Sequence, residues 1–250
     1  MQSSTFSFQG KVYLATRDVN GNCTAMVYSG NAPLLKVALT TTVKDHKEST
    51  SGQRIIDDRL ITEKKCDITL ELDNWNSQNL AIAMYGAVNT TAAGTATGEL
   101  LPTGLVANNY VRLQQPNISS LVITDSAGTP ATLSPATDYN LISANGGIVE
   151  ILNVGTYVQP FKAAYSYAGS ADVNMFSQAA PERWLVFDGI NTVNNQPVLV
   201  DLYRVRFDPL KELDLVIDDY AKLQLMGSAL WDSTKSANAI FGQFGRIRTQ

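Results

Sequence analysis

Short segments in which apolar and polar residues alternate run through most of the chain. In residues 34–43 (LLKVALTTTV) the apolar side chains Leu35, Val37 and Leu39 are separated by polar or small ones, and residues 66–72 (CDITLEL) repeat the pattern. Successive side chains of a strand point to opposite faces, so a period of two predicts strands with one buried face. Similar strands are predicted at 11–17, 24–30, 182–190 and 196–207. The chain is therefore expected to be mainly β.

One turn and one helix interrupt the predicted strands. The dipeptide Asn20-Gly21 separates the first two strands and favours a type I′ hairpin turn, in which both central residues have positive φ. The segment DNWNSQNLAIAMYG predicts a short helix, with Asn76 or Ser77 as its N-cap. Gly86 is expected to end this helix in the left-handed conformation.

The character of the sequence changes in the middle of the chain. Residues 87–104 are mostly small and polar and predict a linker. Between residues 102 and 170, short apolar runs separated by turn signals such as SANGG have the spacing of a small β-sandwich. We therefore predict an inserted immunoglobulin-like β module at 102–170, within a discontinuous β domain formed by residues 1–101 and 171–250.

Composition disfavours several classes of function. The chain carries 19 basic and 23 acidic side chains, so bulk attraction to a nucleic-acid backbone is disfavoured. Cys23 and Cys66 could form one disulfide, but buried free thiols are the favoured interpretation. With a single histidine, the chain lacks the ligands of a Cys/His zinc site. No long apolar run and no apolar leader occur, which predicts folding in a reducing cytoplasm without a membrane.

The most unusual segment is residues 43–65 (VKDHKESTSGQRIIDDRLITEKK), which joins two predicted strands. It holds six basic and five acidic side chains together with His46. Its Ser/Thr/Gly centre predicts a mobile loop, a long excursion from a hairpin. Neither this segment nor the rest of the chain contains a defensible catalytic set, since adjacent aspartates such as Asp57 and Asp58 would point to opposite faces of a strand. We accordingly predict no enzymatic activity and no cofactor.

The C-terminal residues 239–250 (AIFGQFGRIRTQ) mix aromatic and basic side chains with glycines. Two interpretations remain open, an extended arm that contacts another molecule and a final strand docked on the chain's own core. The candidate contact residues of such an arm are Phe241, Phe244, Arg246 and Arg248.

Several motifs follow one another along most of the chain. The first part contains GKVYLATRDVNGN, HKESTSGQRIIDDRL and KKCDITLELDNWNSQNLAIAMYG, and the last part contains PERWLVFDGINTVNNQPVLVDLYRVRFDPLKELDLV, LQLMGSALWD and GQFGRIR. In this order they resemble the major tail tube protein of long-tailed bacteriophages, over about residues 8–101 and 165–248. The inserted module lies where such proteins tolerate one.

This resemblance implies a fold and an assembly. Tail tube subunits have a β-sandwich or barrel core with one short flanking helix. Six subunits form a ring around a lumen, and rings stack into a tube through which double-stranded DNA passes without specific binding. The resemblance also implies a location in the virion tail, assembly in the host cytoplasm, and tape-measure, terminator and initiator proteins as partners.

The resemblance further assigns roles to surface residues. The loop at 43–65 would reach the adjacent ring, where charges of both signs complement a neighbour. Its candidate contacts are Lys47, Glu48, Arg54, Asp57, Asp58 and Arg59. The polar faces of two strands would line the lumen as an acidic to neutral wall, although Lys36 and Lys222 fall on the same faces. The candidate lumen residues are Thr40, Thr42, Asp67, Thr69 and Glu71.

A second hypothesis is a β-sandwich protein that binds a receptor or a glycan at a virion or cell surface. It predicts a monomer or a small closed oligomer with a platform of exposed aromatic side chains. Trp75, Trp184 and Trp231 lie far apart in the sequence, which argues against such a platform.

Overall fold

Strands make up most of the secondary structure. The computed structural model describes residues 5–235, 240 and 242–249, and this part of the chain is mainly β with one short helix. Its elements are β1 (Phe8–Arg17), β2 (Cys23–Tyr28), β3 (Leu34–Lys47), β4 (Ile56–Leu72), α1 (Ser77–Ala83), β5 (Val88–Thr91), β6 (Gly94–Leu100), β7 (Asn109–Arg112), β8 (Ile118–Thr124), β9 (Tyr139–Ser143), β10 (Ile148–Ile151), β11 (Lys162–Tyr167), β12 (Ser170–Val173), β13 (Glu182–Asn191), β14 (Gln196–Phe207), β15 (Leu223–Ala229) and β16 (Gly245–Thr249).

The chain divides into two compact units, the first formed by Met1–Val88 with Val173–Gln250 and the second by Asn89–Asp172. The second unit therefore begins before residue 102, the start predicted from the sequence. The segment predicted as a linker contains β5 and β6 instead, and β6 pairs with β11 inside the second unit. Its small side chains (GTATGEL) give no apolar alternation by which a strand could be recognised.

One large antiparallel sheet builds the first unit, with the strand order β2-β1-β13-β14-β15-β4-β3 and with β16 added to β14. Residues 205–207 of β14 pair with β15, whereas residues 198–202 pair with β16. Side chains from both ends of the sheet, such as Leu14 of β1 and Leu70 of β4, belong to one buried core. Among the described residues the strands do not close into a barrel, and the fold is of the β-sandwich type.

The predicted helix and its N-cap are confirmed. The Asn76 side chain accepts a hydrogen bond of 2.7 Å from the backbone N–H of Asn79. The helix ends differently from the prediction, because the residue with positive φ is Tyr85 (φ 51°) and not Gly86. Gly86 has another role, since a Cβ there would lie 1.9 Å from the carbonyl oxygen of Asn174. The described residues contain no helix that is long and apolar enough to cross a membrane.

The predicted hairpin of β1 and β2 is present, but its predicted turn is wrong. Residues 18–22 connect the strands, and of the two central residues predicted, Gly21 alone has positive φ (75°). The Asp18 carboxylate instead accepts hydrogen bonds from the backbone N–H groups of Asn22 and Asn20, at 2.7 and 2.9 Å. These bonds lower the pKa of Asp18, and the bond from Asn22 has the largest effect.

The second unit has a core of its own between two three-stranded antiparallel sheets, β7-β10-β9 and β6-β11-β8. Phe161, Ile123, Val149 and Leu133 are fully buried in it. Because both sheets contribute to this one core, the unit is the small β-sandwich expected from the sequence. β5 and β12 form a separate two-stranded ladder.

Both cysteines are free thiols. Cys66 is buried in the core of the first unit, and Cys23 is half-buried. Burial raises the pKa of each thiol, which disfavours the reactive thiolate. Of the two alternatives that the sequence left open, the structure has free thiols and no disulfide between them.

Candidate interaction surface

The charged segment 43–65 belongs to a β-hairpin and not to a loop. β3 continues to Lys47 and β4 begins at Ile56, which leaves a short tip between them. In residues 40–65, which we call the arm, all side chains are exposed except that of Glu48, which is partly buried. The prediction of a loop is wrong because both faces of this ribbon are in solvent, so no apolar alternation marks its strands.

Pairs of opposite charge connect the two strands of the arm. Arg59 Nε donates to Asp45 Oδ1 at 2.8 Å, and His46 Nδ1 shares a hydrogen bond of 2.5 Å with Asp57 Oδ1. This hydrogen bond and the charge of Asp57 raise the pKa of His46, and the same contact lowers the pKa of Asp57. Because solvent screens exposed pairs, these contacts orient side chains more than they stabilise the fold.

The Glu48 carboxylate organises the tip of the arm. Its Oε2 accepts hydrogen bonds from the backbone N–H groups of Thr50 and Ser51, both at 2.9 Å. The Ser51 hydroxyl donates to Oε1. These bonds lower the pKa of Glu48 to about 2, and the bond from the Ser51 hydroxyl has the largest effect. Glu48 was predicted to contact a neighbouring ring, but its oxygens have partners inside the arm.

Unpaired basic side chains and apolar side chains share the end of the arm. Lys47 and Arg54 make no ion pair within the part of the chain that the structure describes. Ile55, Ile56 and Leu60 are 56%, 49% and 64% exposed. Exposed apolar side chains that lie near one another in the chain suit a site of protein contact.

A polar face continues from the base of the arm across the sheet. Residues directly opposite each other in antiparallel strands share a face. The register aligns Ala38, Asp67, Ser228 and Arg206 in one row across β3, β4, β15 and β14. By the same register, the residues predicted to line a lumen all belong to this face: Thr40, Thr42, Asp67, Thr69 and Glu71.

The polar face is balanced in charge and not acidic. Lys36 and Lys65 lie on it by register, beside Asp67 and Glu71. The Lys222 Nζ atom is 3.7 Å from Glu71 Oε2 at its margin. Within the expected range from acidic to neutral, the polar face is neutral, because each carboxylate has a lysine or a polar side chain nearby.

An apolar groove lies on the opposite side of β3. It has a volume of about 890 Å³ and is bordered by β3 and β4 on one side and by β1, β13, β14 and β16 on the other. Lys64 and Lys65 also line it. The apolar residues along it include Val12, Leu35, Val37, Leu39, Phe187, Val200 and Phe244.

The described part of the C-terminal segment is a docked strand. β16 pairs with β14, and Phe244 packs against the core of the first unit. Arg246 Nε and Arg248 Nη2 both donate to Asp201 Oδ2 at 3.0 Å. Of the two interpretations of this segment, the structure matches the strand on the chain's own core. Phe241 lies outside the described residues.

An ion network that the sequence did not reveal joins β1 and β13 to the segment after β15. Arg17 Nη2 lies 2.6 Å from Asp232 Oδ2, and Arg17 Nη1 lies 3.3 Å from Glu182 Oε2. Glu182 also pairs with Arg204 at 2.7 Å. The partners are far apart along the chain, so no local motif could have predicted the network. Within the described residues, no group of three or more His, Cys, Asp or Glu side chains could hold a metal ion.

A family model described as "Protein of unknown function UCP028589" matches residues 5–248. The chain belongs to this family. No curated protein matches the chain. The family match includes both units, so the second unit is part of the protein that the family model describes.

In this family member, the predicted surface residues belong to three groups, which are those of the arm, those of the polar face and those of the C-terminal segment. Lys47 and Arg54 remain unpaired at the end of the arm, and Asp57 and Arg59 have partners inside it. Asp58 accepts a hydrogen bond from the backbone N–H of Arg59 at 2.7 Å. The candidate lumen residues share the polar face, and the described C-terminal candidates are docked on the first unit.

Proposed function

We propose that this protein is a structural subunit of a phage tail tube, which forms stacked hexameric rings around a lumen that conducts viral DNA into the host. The arm is the observation that supports the proposal most. A two-stranded ribbon is at best marginally stable alone in water. Its exposed faces therefore favour a role in which a neighbouring subunit covers them.

The outer side of β3 provides a second argument for assembly. β3 is 14 residues long and has β4 as its single strand neighbour in the described sheet. The N–H and C=O groups on its other side are available for pairing, and such an edge invites association with another chain. In a ring, the edge strand of one subunit would meet the sheet of the next.

The polar face suits the wall of a conduit. Its neutral balance provides no continuous basic surface that would bind phosphates and release counterions. Hydrogen bonds also hold its carboxylates, as between Ser228 Oγ and Asp67 Oδ1 at 2.7 Å. We expect DNA to move past such a wall without sequence-specific contacts.

The arm would make a head-to-tail contact between rings. A contact of this type joins two different surfaces of the same chain and therefore propagates as a filament. Lys47 and Arg54, which lack partners within the described chain, would complement acidic groups of the adjacent ring. Arg54 belongs to the tip between β3 and β4 and has positive φ (53°).

Electron microscopy of the purified protein across a concentration series tests the proposal. Rings or hollow tubes of uniform width are the expected result, and Arg54→Glu should impair tube growth while the subunit stays folded. Arg112→Glu, an exposed arginine in the second unit, is the matched control. Normal tube growth of Arg54→Glu would exclude the role of the arm. Discrete small particles at every concentration would contradict self-assembly itself.

A receptor- or glycan-binding protein is the second candidate. The favouring observation is a recess of about 720 Å³ bordered by Trp75 and Tyr220, which are 66% and 89% exposed. Aromatic rings of this kind can stack on a ligand, whereas Trp184 is buried and contributes nothing to such a platform. Glycan-array binding of the parent protein and of Trp75→Ala tests this candidate. It predicts that the parent binds a glycan and that the variant does not.

A further inference from the structure

Residues 213–220 (LDLVIDDY), which we call the strap, leave three consecutive apolar side chains in solvent. The strap lies between β14 and β15. Leu213 packs against the core of the first unit and anchors it. Leu215, Val216 and Ile217 are 78%, 98% and 49% exposed. Nothing in the fold of the first unit requires three neighbouring apolar side chains at these positions.

Carboxylates flank the three apolar side chains. Asp214 precedes them and Asp218 and Asp219 follow, and the strap contains no basic residue. None of the three aspartates forms an ion pair within the described part of the chain. The strap is thus an extended apolar segment with an excess of negative charge, and its complement would be an apolar surface with basic residues at its border.

The groove described above has this complementary character. Its volume of about 890 Å³ is in the range of binding clefts, and apolar residues dominate its walls. Lys64 lines it on the β4 side and has no ion-pair partner among the described residues, whereas Lys65 belongs by register to the polar face and its Nζ atom lies 3.4 Å from Glu63 Oε1.

We propose that the strap of one copy of this protein occupies the groove of a second copy. The inference rests on the proposed function in that the partner is another copy of the same chain. Val216 and its neighbours would be buried against Val37 and Leu39, while Asp218 would approach Lys64. Because strap and groove are different surfaces, each copy can bind one neighbour with its strap and another with its groove, so the contact propagates.

Val216→Asp is the first test, with Val19→Asp as its matched control. Both valines are almost fully exposed in a single copy of the protein, and Val19 lies in the loop between β1 and β2. A carboxylate placed in an apolar interface is penalised by desolvation, so Val216→Asp should raise the concentration needed for assembly about tenfold or more. Val19→Asp should leave it unchanged. Sedimentation velocity over a concentration series measures both, and thermal unfolding checks the fold.

A charge exchange tests the pairing itself. Asp218→Lys should weaken assembly, and Lys64→Asp should do the same. The protein carrying both changes should regain assembly, because opposite charges again meet across the contact. No gain over either single change would overturn the inference.

The outcomes separate the inference from the proposed function. Normal assembly of Val216→Asp would overturn the strap contact and leave the tube proposal standing. A parent protein that stays monomeric at every concentration would overturn both. A lower melting temperature of monomeric Val216→Asp, with Val19→Asp unchanged, would show that the strap packs within its own chain, which also overturns the inference.

Discussion

Replacing Asp201 with asparagine should detach β16 from the sheet and destabilise the first unit. The Asp201 side chain is 8% exposed, and its Oδ2 atom accepts hydrogen bonds from both Arg246 and Arg248 at 3.0 Å. Asparagine keeps the size of the side chain and one acceptor oxygen, but it removes the charge. The substitution therefore removes the negative charge that both arginines face where β16 meets β14.

The magnitude follows from the exposure of the two arginines. The Arg248 side chain is 53% exposed, so solvent screens its pair with Asp201 and the loss there is about 0–1 kcal/mol. The Arg246 side chain is 21% exposed, and a hydrogen bond to a charged group contributes about 1.5–3 kcal/mol. We expect a combined loss of about 1.5–4 kcal/mol in the free energy of unfolding. At about 2–4 °C per kcal/mol, the melting temperature should fall by about 3–16 °C.

Urea unfolding followed by tryptophan fluorescence measures this loss, because Trp184 Nε1 donates to Asp201 Oδ1 at 3.4 Å. Amide hydrogen exchange should show reduced protection in β16 before it does so elsewhere. Asp188→Asn is the control, since Asp188 is an exposed aspartate of β13 without an ion pair in the described chain. Equal losses in both variants, or a loss below about 0.5 kcal/mol in Asp201→Asn, would refute a clamp on β16.

Three further outcomes are expected. The hydrogen bond from Arg204 lowers the pKa of Glu182. The stabilisation from this pair is therefore present above the pKa that Glu182 has in the unfolded chain, and it is lost as pH falls through the lower pKa of the folded protein. In urea titrations at decreasing pH, the free energy of unfolding of the parent should converge on that of Glu182→Gln. Leu133→Ala should lower the free energy of unfolding of the second unit by about 2–5 kcal/mol and leave the first unit unchanged, as calorimetry would show. Gly86→Ala should destabilise the first unit by about 1–3 kcal/mol in thermal unfolding, because its Cβ would meet the carbonyl oxygen of Asn174.

Alternation predicted the strands that have one buried face. The prediction for residues 66–72 was correct because Cys66, Ile68, Leu70 and Leu72 enter the core, which is what a period of two reports. The strands of the arm were not predicted, because neither face of the arm is buried in the first unit. β6 was not predicted, because its small residues give no difference in polarity between the two faces of the strand. A single sequence therefore reveals strands by the burial of one face and misses those whose environment is uniform.

The ion pairs of the candidate site could not be predicted for a different reason. Arg17 and Asp232, or Asp201 and Arg246, come together only after several strands have paired. The shared polar face was accessible to sequence analysis, because its members alternate within each strand. Its charge balance was not, because Lys65 joins the face through the register of β3 and β4.

The distribution of partners within the arm divides its charges into two functions. Arg59 and Asp45 are paired across the strands, so each orients the other's side chain, and a neighbour in the proposed tube would bind them with a smaller loss of conformational entropy. Lys47 and Arg54 have no such partner in the described chain and, in the proposed tube, would be available to another subunit. Reversing Arg59 would therefore disturb the ribbon and the contact together, whereas reversing Arg54 changes the contact alone. For this reason Arg54 provides the cleaner test of whether the arm joins one ring to the next.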